Sequence, residues 1–265
     1  YKLTVKLNRE PTEEEIAREM NLSIDGVRKI KKYAQDSMSL DITVGEDGAS
    51  HQTVEDLALM RAIPNMVVIS PSDAVETKAV IEAIAEYNGP CYVRLGRSPV
   101  NVVNDESTYK FELGKGVLLN EGTDLTIVAT GIMVDVALEA KEILASQGIS
   151  ARVINIHTLK PIDSDILVKA AKETGAIVTV EEHSVIGGLG SAVSEVLGEV
   201  CPVPVVKVGV NDQFGQSGKP DELLEYYGLT VTNVVEAAQK AIKLKTSFKI
   251  LLIQVMNQNE IFFIH

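Results

Sequence analysis

The sequence predicts an α/β protein, with a mostly parallel sheet covered on both faces by helices and a short helical segment ahead of it. Three observations carry this reading. Runs such as Val67-Val68-Ile69, Leu125–Ala129, Ala151–Ile156, Ile177–Val180 and Val203–Val208 are apolar almost throughout, as strands buried on both faces are. Stretches with helical apolar spacing lie between them, and strand, helix, strand alternation implies parallel crossovers. Gly and Pro punctuate the changes of period, as at Gly89-Pro90 before the strand Cys91–Leu95.

Taken in order, the first forty residues read as two short helices. Pro11 and Thr12 open the first, Glu13, Glu14 and Glu15 place negative charge at its N-terminal end, and Ile16 and Met20 share a face. Asn21-Leu22-Ser23 breaks the pattern before Val27, Ile30 and Ala34 continue an apolar stripe, a helix-turn-helix pattern. From Val44 on, α and β alternate. Asp73–Tyr87 has helical spacing through Ala74, Ala79, Ile81 and Ile84, and residues 99–123, rich in Asn, Asp and Gly, read as a connection. Helices follow at Val134–Ala145, Ser164–Thr174, Leu189–Val200 and Asn233–Leu244. The apolar tail Ser247–His265 fits neither series and is β-prone.

The 265 residues suit two domains, and 37 acidic against 25 basic side chains give a net charge of −12. That charge argues against a nucleic-acid surface, which needs clustered Lys and Arg. The charge is uneven: the first forty residues are nearly balanced, so the remainder carries the acidity. No apolar run approaches a membrane span, no signal-peptide order opens the chain, and Cys91 and Cys201 stand apart in apolar contexts. Together these predict a reduced, cytoplasmic protein.

Three segments could carry chemistry. Gly45-Glu46-Asp47-Gly48-Ala49-Ser50-His51-Gln52 sets two acids, two glycines and a histidine in one loop, able either to grip a polyol or to serve as a turn and helix cap. Arg94 and Arg97 flank a strand end, where a guanidinium can hold phosphate or simply pair on the surface. Glu181-Glu182-His183 followed by Gly187-Gly188-Leu189-Gly190 could cradle phosphate at a helix N-terminus. It lacks the last small residue and the acidic partner of the dinucleotide fingerprint, so close backbone packing or a subunit contact is the favoured reading. No cluster has metal-ligand spacing, so no protein-bound metal is expected.

From about Val44 to Lys245 the chain closely resembles the C-terminal section of transketolases, particularly the split kind in which this section is a separate subunit. The resemblance rests on VGEDGASHQ (Val44–Gln52), EDLALMRAIPN (Glu55–Asn65), VISPSDAVE (Val68–Glu76), VRLGRS (Val93–Ser98), TLKPI (Thr158–Ile162) and VEEHSVIGGLGSA (Val180–Ala192). It implies a truncated pyrimidine-binding α/β segment at 44–108, a linker at 109–121, and the family's C-terminal α/β/α domain at 122–245, leaving 246–265 unassigned. It implies thiamine diphosphate and Mg as cofactors, transfer of a two-carbon ketol unit between sugar phosphates in the pentose phosphate pathway, a diphosphate-binding N-terminal subunit as partner, and a homodimer for the parent. By position, Asp47 and His51 resemble the family's catalytic and substrate-binding acid and histidine, and Arg97 its phosphate-binding arginine. Deoxyxylulose-phosphate synthase and the ketoacid dehydrogenase β-subunit share the plan, but GEDGASHQ and LGRS are closer to transketolase.

Two departures accompany this resemblance. The first part of a pyrimidine domain, with the glutamate that activates the cofactor, does not precede Val44, and Ser39 stands where the family has a histidine. Instead, residues from about 7 to 43 resemble region 3 of a bacterial primary sigma factor, through REPTEEEIAREM (Arg9–Met20) and VRKIKKYAQDSMSLD (Val27–Asp41), which implies a helical segment at 1–43. That would make the chain a transcription-associated fragment binding polymerase or promoter DNA. Both families account for Val44-Gly45-Glu46-Asp47, which predicts a chimera joined there, inactive as a transketolase by itself.

Overall fold

The computed structural model describes residues 9, 11–20, 22–28, 53–96 and 100–261, the last stretch beyond residue 250 by its backbone alone. The loop Val44–Gln52, Arg97 and the second N-terminal helix beyond Arg28 lie outside the described residues.

Near the start, α1 (Glu13–Met20) opens with a reciprocal capping box: Glu15 N donates to Thr12 Oγ1 (3.3 Å) and Thr12 N to Glu15 Oε2 (2.8 Å). Residues 24–28 are again helical, capped by Ser23 Oγ on Gly26 N (3.0 Å). Ala17 and Val27 are buried, and Arg28 ties the second turn to Glu13 on α1 (2.9 Å).

The main body has two sheets. A five-stranded sheet has the order β3-β5-β4-β7-β8, with β3 (Val117–Asn120), β4 (Leu125–Ala129), β5 (Ala151–Asn155), β7 (Ile177–Ser184) and β8 (Val205–Val210). The pairs β5-β4, β4-β7 and β7-β8 are parallel, as the apolar runs predict, and β3 adds an antiparallel edge. The strand period of two divides the core. Leu125, Ile127 and Ala129 of β4 face α4 (Met133–Ser146) and α8 (Val231–Ile261), where Ala137, Ala140, Ala237, Ala238 and Ala241 let both helices sit close. Val128 and Ile154 face the other layer, α5 (Ser164–Thr174) and α6 (Leu189–Val200), through Leu167, Ala170, Val193 and Leu197.

The smaller sheet has the order β2-β1-β6. Strands β1 (Val67–Ile69) and β2 (Cys91–Val93) run parallel across α3 (Ala74–Glu86), whose N-cap Asp73 accepts from Glu76 N (2.8 Å). Its third strand, β6 (Thr158–Lys160), comes from beyond β5 and pairs antiparallel with β1, Ile69 opposite Thr158. One edge of β1 is therefore covered from the far part of the chain, while β2 is an edge strand of this sheet among the described residues.

Four further differences have local causes. The stretch read as a connection contains β3, whose four residues are too few to show a period. Strand β7 runs past its apolar part to Ser184 through a register shift after Val180. A short helix, α7 (Pro220–Tyr226), opens with Pro220 at its first turn and Asp221 and Glu222 behind it. The tail is helical rather than extended as far as Ile261, because α8 is nucleated by its packed first half and propagation then adds one hydrogen bond per residue.

Asp163 joins two of these elements, accepting from Ile166 N (3.2 Å) as the α5 cap and from Gly116 N (3.0 Å) at the approach to β3. Replacing it by alanine removes both bonds at a buried position. We expect Asp163→Ala to cost about 1–2 kcal/mol in a denaturant titration; an unchanged midpoint contradicts this.

Candidate functional site

The ends of β2 and β7 meet the start of α2 (Asp56–Ala62) in a buried charged cluster. At its centre Arg94, just past β2, uses Nε on Asp56 (3.2 Å), Nη1 on Glu182 (2.9 Å) and Nη2 on the Thr53 carbonyl (3.2 Å). Tyr92 adds a hydrogen bond from its hydroxyl to Asp56 Oδ2 (2.6 Å). Burial works against the Arg94 charge, but Glu182 and Asp56 together outweigh it and raise its pKa above the ordinary arginine value. Arg94 is thus neither a free phosphate ligand nor a surface ion pair: its donors are already engaged inside the protein.

The glycine-rich segment is filled in the same way. At the N-terminus of α6 the amides of Leu189 and Gly190 donate to the two oxygens of Glu181 (2.5 and 2.8 Å). A carboxylate of the chain itself occupies the place a phosphate would take, with Lys207 and Arg61 nearby. The glycines permit this approach. A Cβ on Gly188 would lie 2.0 Å from Glu181 Oε2 and 2.5 Å from His183 Nδ1, and one on Gly187, at φ +80°, would lie 2.4 Å from Ala58 Cβ of α2. Arg61 of α2 reaches the Gly188 carbonyl (3.2 Å) and Glu195 (2.6 Å). Close backbone packing, the favoured reading, is what the structure shows.

His183 is fully buried. Its Nδ1 lies 2.7 Å from the Ser184 carbonyl and its Nε2 3.3 Å from Ala58 N, while Ser184 N donates to the Val54 carbonyl (2.6 Å). Thr53 and Val54, the described residues that follow VGEDGASHQ, are therefore both held by backbone bonds to Arg94 and β7.

A second buried cluster, which sequence reasoning missed, joins α3 to the large sheet. Glu76 accepts from Ser72 N (2.6 Å), from the Tyr109 hydroxyl and from Asn155 Nδ2 (2.9 Å). Asp73 Oδ2 accepts from the amides of Val103 and Asn104 (2.8 Å each). His157 is buried against Phe111, its ring centroid 4.6 Å away, and desolvation lowers its pKa. One signal was available: Glu76, Val80 and Ile84 lie at i, i+4 and i+8, so a carboxylate sits in an apolar helical stripe.

Of the sequence-predicted site residues, Asp47, His51 and Arg97 lie outside the described residues. Among the described residues no group of three or more His, Cys, Asp or Glu could hold a metal ion, and no helix is long and apolar enough to cross a membrane. A surface groove of about 470 Å³, lined by α5 residues and Val200, shares no side chain with either cluster.

Two outcomes follow. Gly188→Ala should destabilise the fold by about 2–3 kcal/mol, because its methyl overlaps Glu181 and His183 and neither can withdraw; an unaltered denaturation midpoint would show that the segment can shift. Burial pushes the Glu181 carboxyl up to about 7 from an ordinary 4.5, against the pull of the Gly190 and Leu189 amides. The folded state then holds this proton more tightly than the unfolded chain, so stability is lost as pH rises from about 4.5 to about 7. Glu181→Gln, which cannot ionise, should flatten the profile over that window by about 3 kcal/mol. Parallel profiles for the two proteins would refute it.

Comparison with known proteins gives this architecture a family. Residues 114–234 match the model of the transketolase C-terminal domain and residues 35–102 that of the transketolase pyrimidine binding domain. Residues 1–62 match the model of sigma-70 region 3, which overlaps the pyrimidine match over 35–62. A putative transketolase C-terminal section from Methanocaldococcus jannaschii is 52% identical over 204 residues, covering 76% of this chain and 64% of that one. One of the subunits of an apulose-4-phosphate transketolase from Phocaeicola vulgatus is 38% identical over 226 residues, covering 83% and 72%. A solved split-gene transketolase, described as an inactive beta4 tetramer, superposes with a TM-score of 0.70 at 57% identity over 74% of this chain and 64% of that one. The first of these relatives is thus spanned over less than two thirds of its length, and the sigma match touches only the first 62 residues. From its paired α/β units and these matches, the chain belongs to the transketolase family, as a relative of its C-terminal sections.

Proposed function

We propose that this chain derives from the C-terminal subunit of a split transketolase, which works with a diphosphate-binding N-terminal subunit to transfer a two-carbon ketol unit between sugar phosphates. The observation that carries the reading is the VGEDGASHQ segment, followed directly by residues anchored on Arg94 and β7. In this reading Asp47 and His51 hold the donor's hydroxyls and move protons, and Arg97 binds the phosphate. Thiamine diphosphate supplies the carbanion chemistry when bound. The described residues do not fit its diphosphate and metal: the glycine-bounded helix N-terminus is filled by Glu181, and among them no three His, Cys, Asp or Glu side chains are grouped to hold a metal ion. The partner subunit is the place for both. A cytoplasmic setting and a homodimer belong to the same proposal.

The stretch before Val44 matches sigma region 3 along its length, and α1 with its reciprocal cap and the Glu13-Arg28 pair forms a small helical unit of its own. We therefore read the chain as a chimera joined within residues 35–62, where the two family matches overlap. It should be inactive in ketol transfer even with the partner subunit. An acidic chain with one sigma region offers little hold on promoter DNA, so the transcription reading is second.

Grafting tests this directly. The first part of the pyrimidine domain of the Methanocaldococcus relative, joined ahead of Val44 and mixed with that organism's diphosphate-binding subunit, should restore ketol transfer that the 265-residue chain lacks. Within the graft, Asp47→Ala, His51→Ala and Arg97→Ala should each lower kcat/KM by about 100-fold or more. A silent graft defeats the transketolase reading, and variants with unchanged kinetics remove the site assignment.

A further inference from the structure

We propose that His183 is a positioning residue: from the end of β7 its neutral imidazole caps α2 and so fixes the start of that helix, which follows in sequence the segment that carries Asp47 and His51. This rests on the reading of that segment given above. The first amides of any helix lack intrahelical acceptors and need partners from elsewhere. In α2 the N-cap residue, Glu55, makes no side-chain cap bond, and its carboxylate accepts instead from Val54 N (3.0 Å). Ala58 N, in the first turn, turns to His183 Nε2, a residue 125 positions further along the chain. The cap is thus supplied by the large sheet, and Ser184 repeats the link one residue on by binding the Val54 carbonyl.

The two ring nitrogens have fixed and opposite roles. Nδ1 lies 2.7 Å from the Ser184 carbonyl, with Glu181 Oε2 3.7 Å away, and carries the hydrogen, whereas Nε2 lies 3.3 Å from Ala58 N, with the Glu55 carbonyl also facing the ring, and caps that amide only by presenting its lone pair. Only the neutral Nδ1-H tautomer satisfies both, since an imidazolium would set two donors against each other. Desolvation, helped by Arg94, lowers the pKa and favours the neutral ring, although the Ser184 and Glu55 carbonyls and Asp56 pull the other way. Burial accounts for a histidine here, but not for a ring with one nitrogen on each of two elements. An apolar side chain would fill the same space and leave Ala58 N without an acceptor.

Nitrogen-15 NMR of the four histidines in the full chain at pH 7 should show one neutral ring protonated on Nδ1, assigned to His183 by its loss in His183→Gln. Finding that ring protonated on Nε2, or charged, overturns the proposal without any folding question. Hydrogen exchange then reads the cap. In His183→Ala the Ala58 amide should exchange about tenfold faster while β4 amides stay within about twofold, and His183→Gln, whose side-chain oxygen can take the same N–H, should restore it. Unchanged exchange at Ala58, or equal acceleration in β4, overturns the capping role. In the grafted complex kcat/KM should fall about tenfold in His183→Ala and recover in His183→Gln; full activity in the alanine variant overturns the positioning role. Turnover of the unaltered graft judges the transketolase reading and exchange judges the cap, so each can fail alone.

Discussion

The Arg94 guanidinium is the group on which the junction of the two α/β units depends. Its neighbours come from two distant places in the chain: Thr53 and Asp56 at the start of α2, and Glu182 at the end of β7. The buried Asp56 carboxylate would be costly at this depth without the guanidinium, and the largely buried guanidinium without a carboxylate partner. Through these bonds Arg94 holds the start of α2 and the end of β7 within hydrogen-bonding distance of one side chain. Apolar packing of the same area would hold the units together with far less discrimination between neighbouring positions.

The same polar logic governs the second contact between the units. Glu76, Asp73 and Ser72 at the start of α3 meet Tyr109 and Asn104 of the connection and Asn155 of β5, so a helix cap, a connecting segment and a strand end share one hydrogen-bond network. Strand β6 adds a backbone link by pairing with β1. Three devices of different kinds, an ion cluster, a side-chain network and a β ladder, therefore act across one boundary. The segment between the units need not be a rigid element to keep them in register.

How much of this was legible in the sequence depended on how far each signal was local. Helices α5 and α6 and strands β1 and β4 could be read to the residue, because apolar period, caps and turn residues agree over each of them. Strands β3 and β6 could not: Thr158–Lys160 has a single apolar residue and Val117–Asn120 lies in an Asn-, Asp- and Gly-rich stretch, so each is a strand only through a partner distant in sequence. The tail misled in the opposite direction: its β-branched and aromatic residues favour strand, but the helix was already nucleated upstream. For the site, Asp47 and His51 were noticed in a polar, glycine-bounded loop and Arg97 as a cation at a strand end, and only the resemblance gave them roles. Arg94 was noticed as a cation at a strand end, but its carboxylates, at positions 56 and 182, show no mutual pattern in sequence.

The glycine segment shows why spacing alone misassigns such motifs. A strand, a glycine-rich turn and a helix N-terminus make an anion site whether the anion arrives from solvent or from the chain. Which of the two it is depends on a residue outside the glycine pattern, here Glu181, eight and nine positions before the amides it binds. A carboxylate at the end of the preceding strand is the distinguishing mark, because it reaches the helix N-terminus without any loop to order. With its anion site filled internally, this turn is free to serve as backbone surface: Gly187 meets Ala58, and Arg61 crosses to the Gly188 carbonyl. The acid that excludes a phosphate is therefore also what lets α2 dock, so the motif's chemistry is spent on placing one helix.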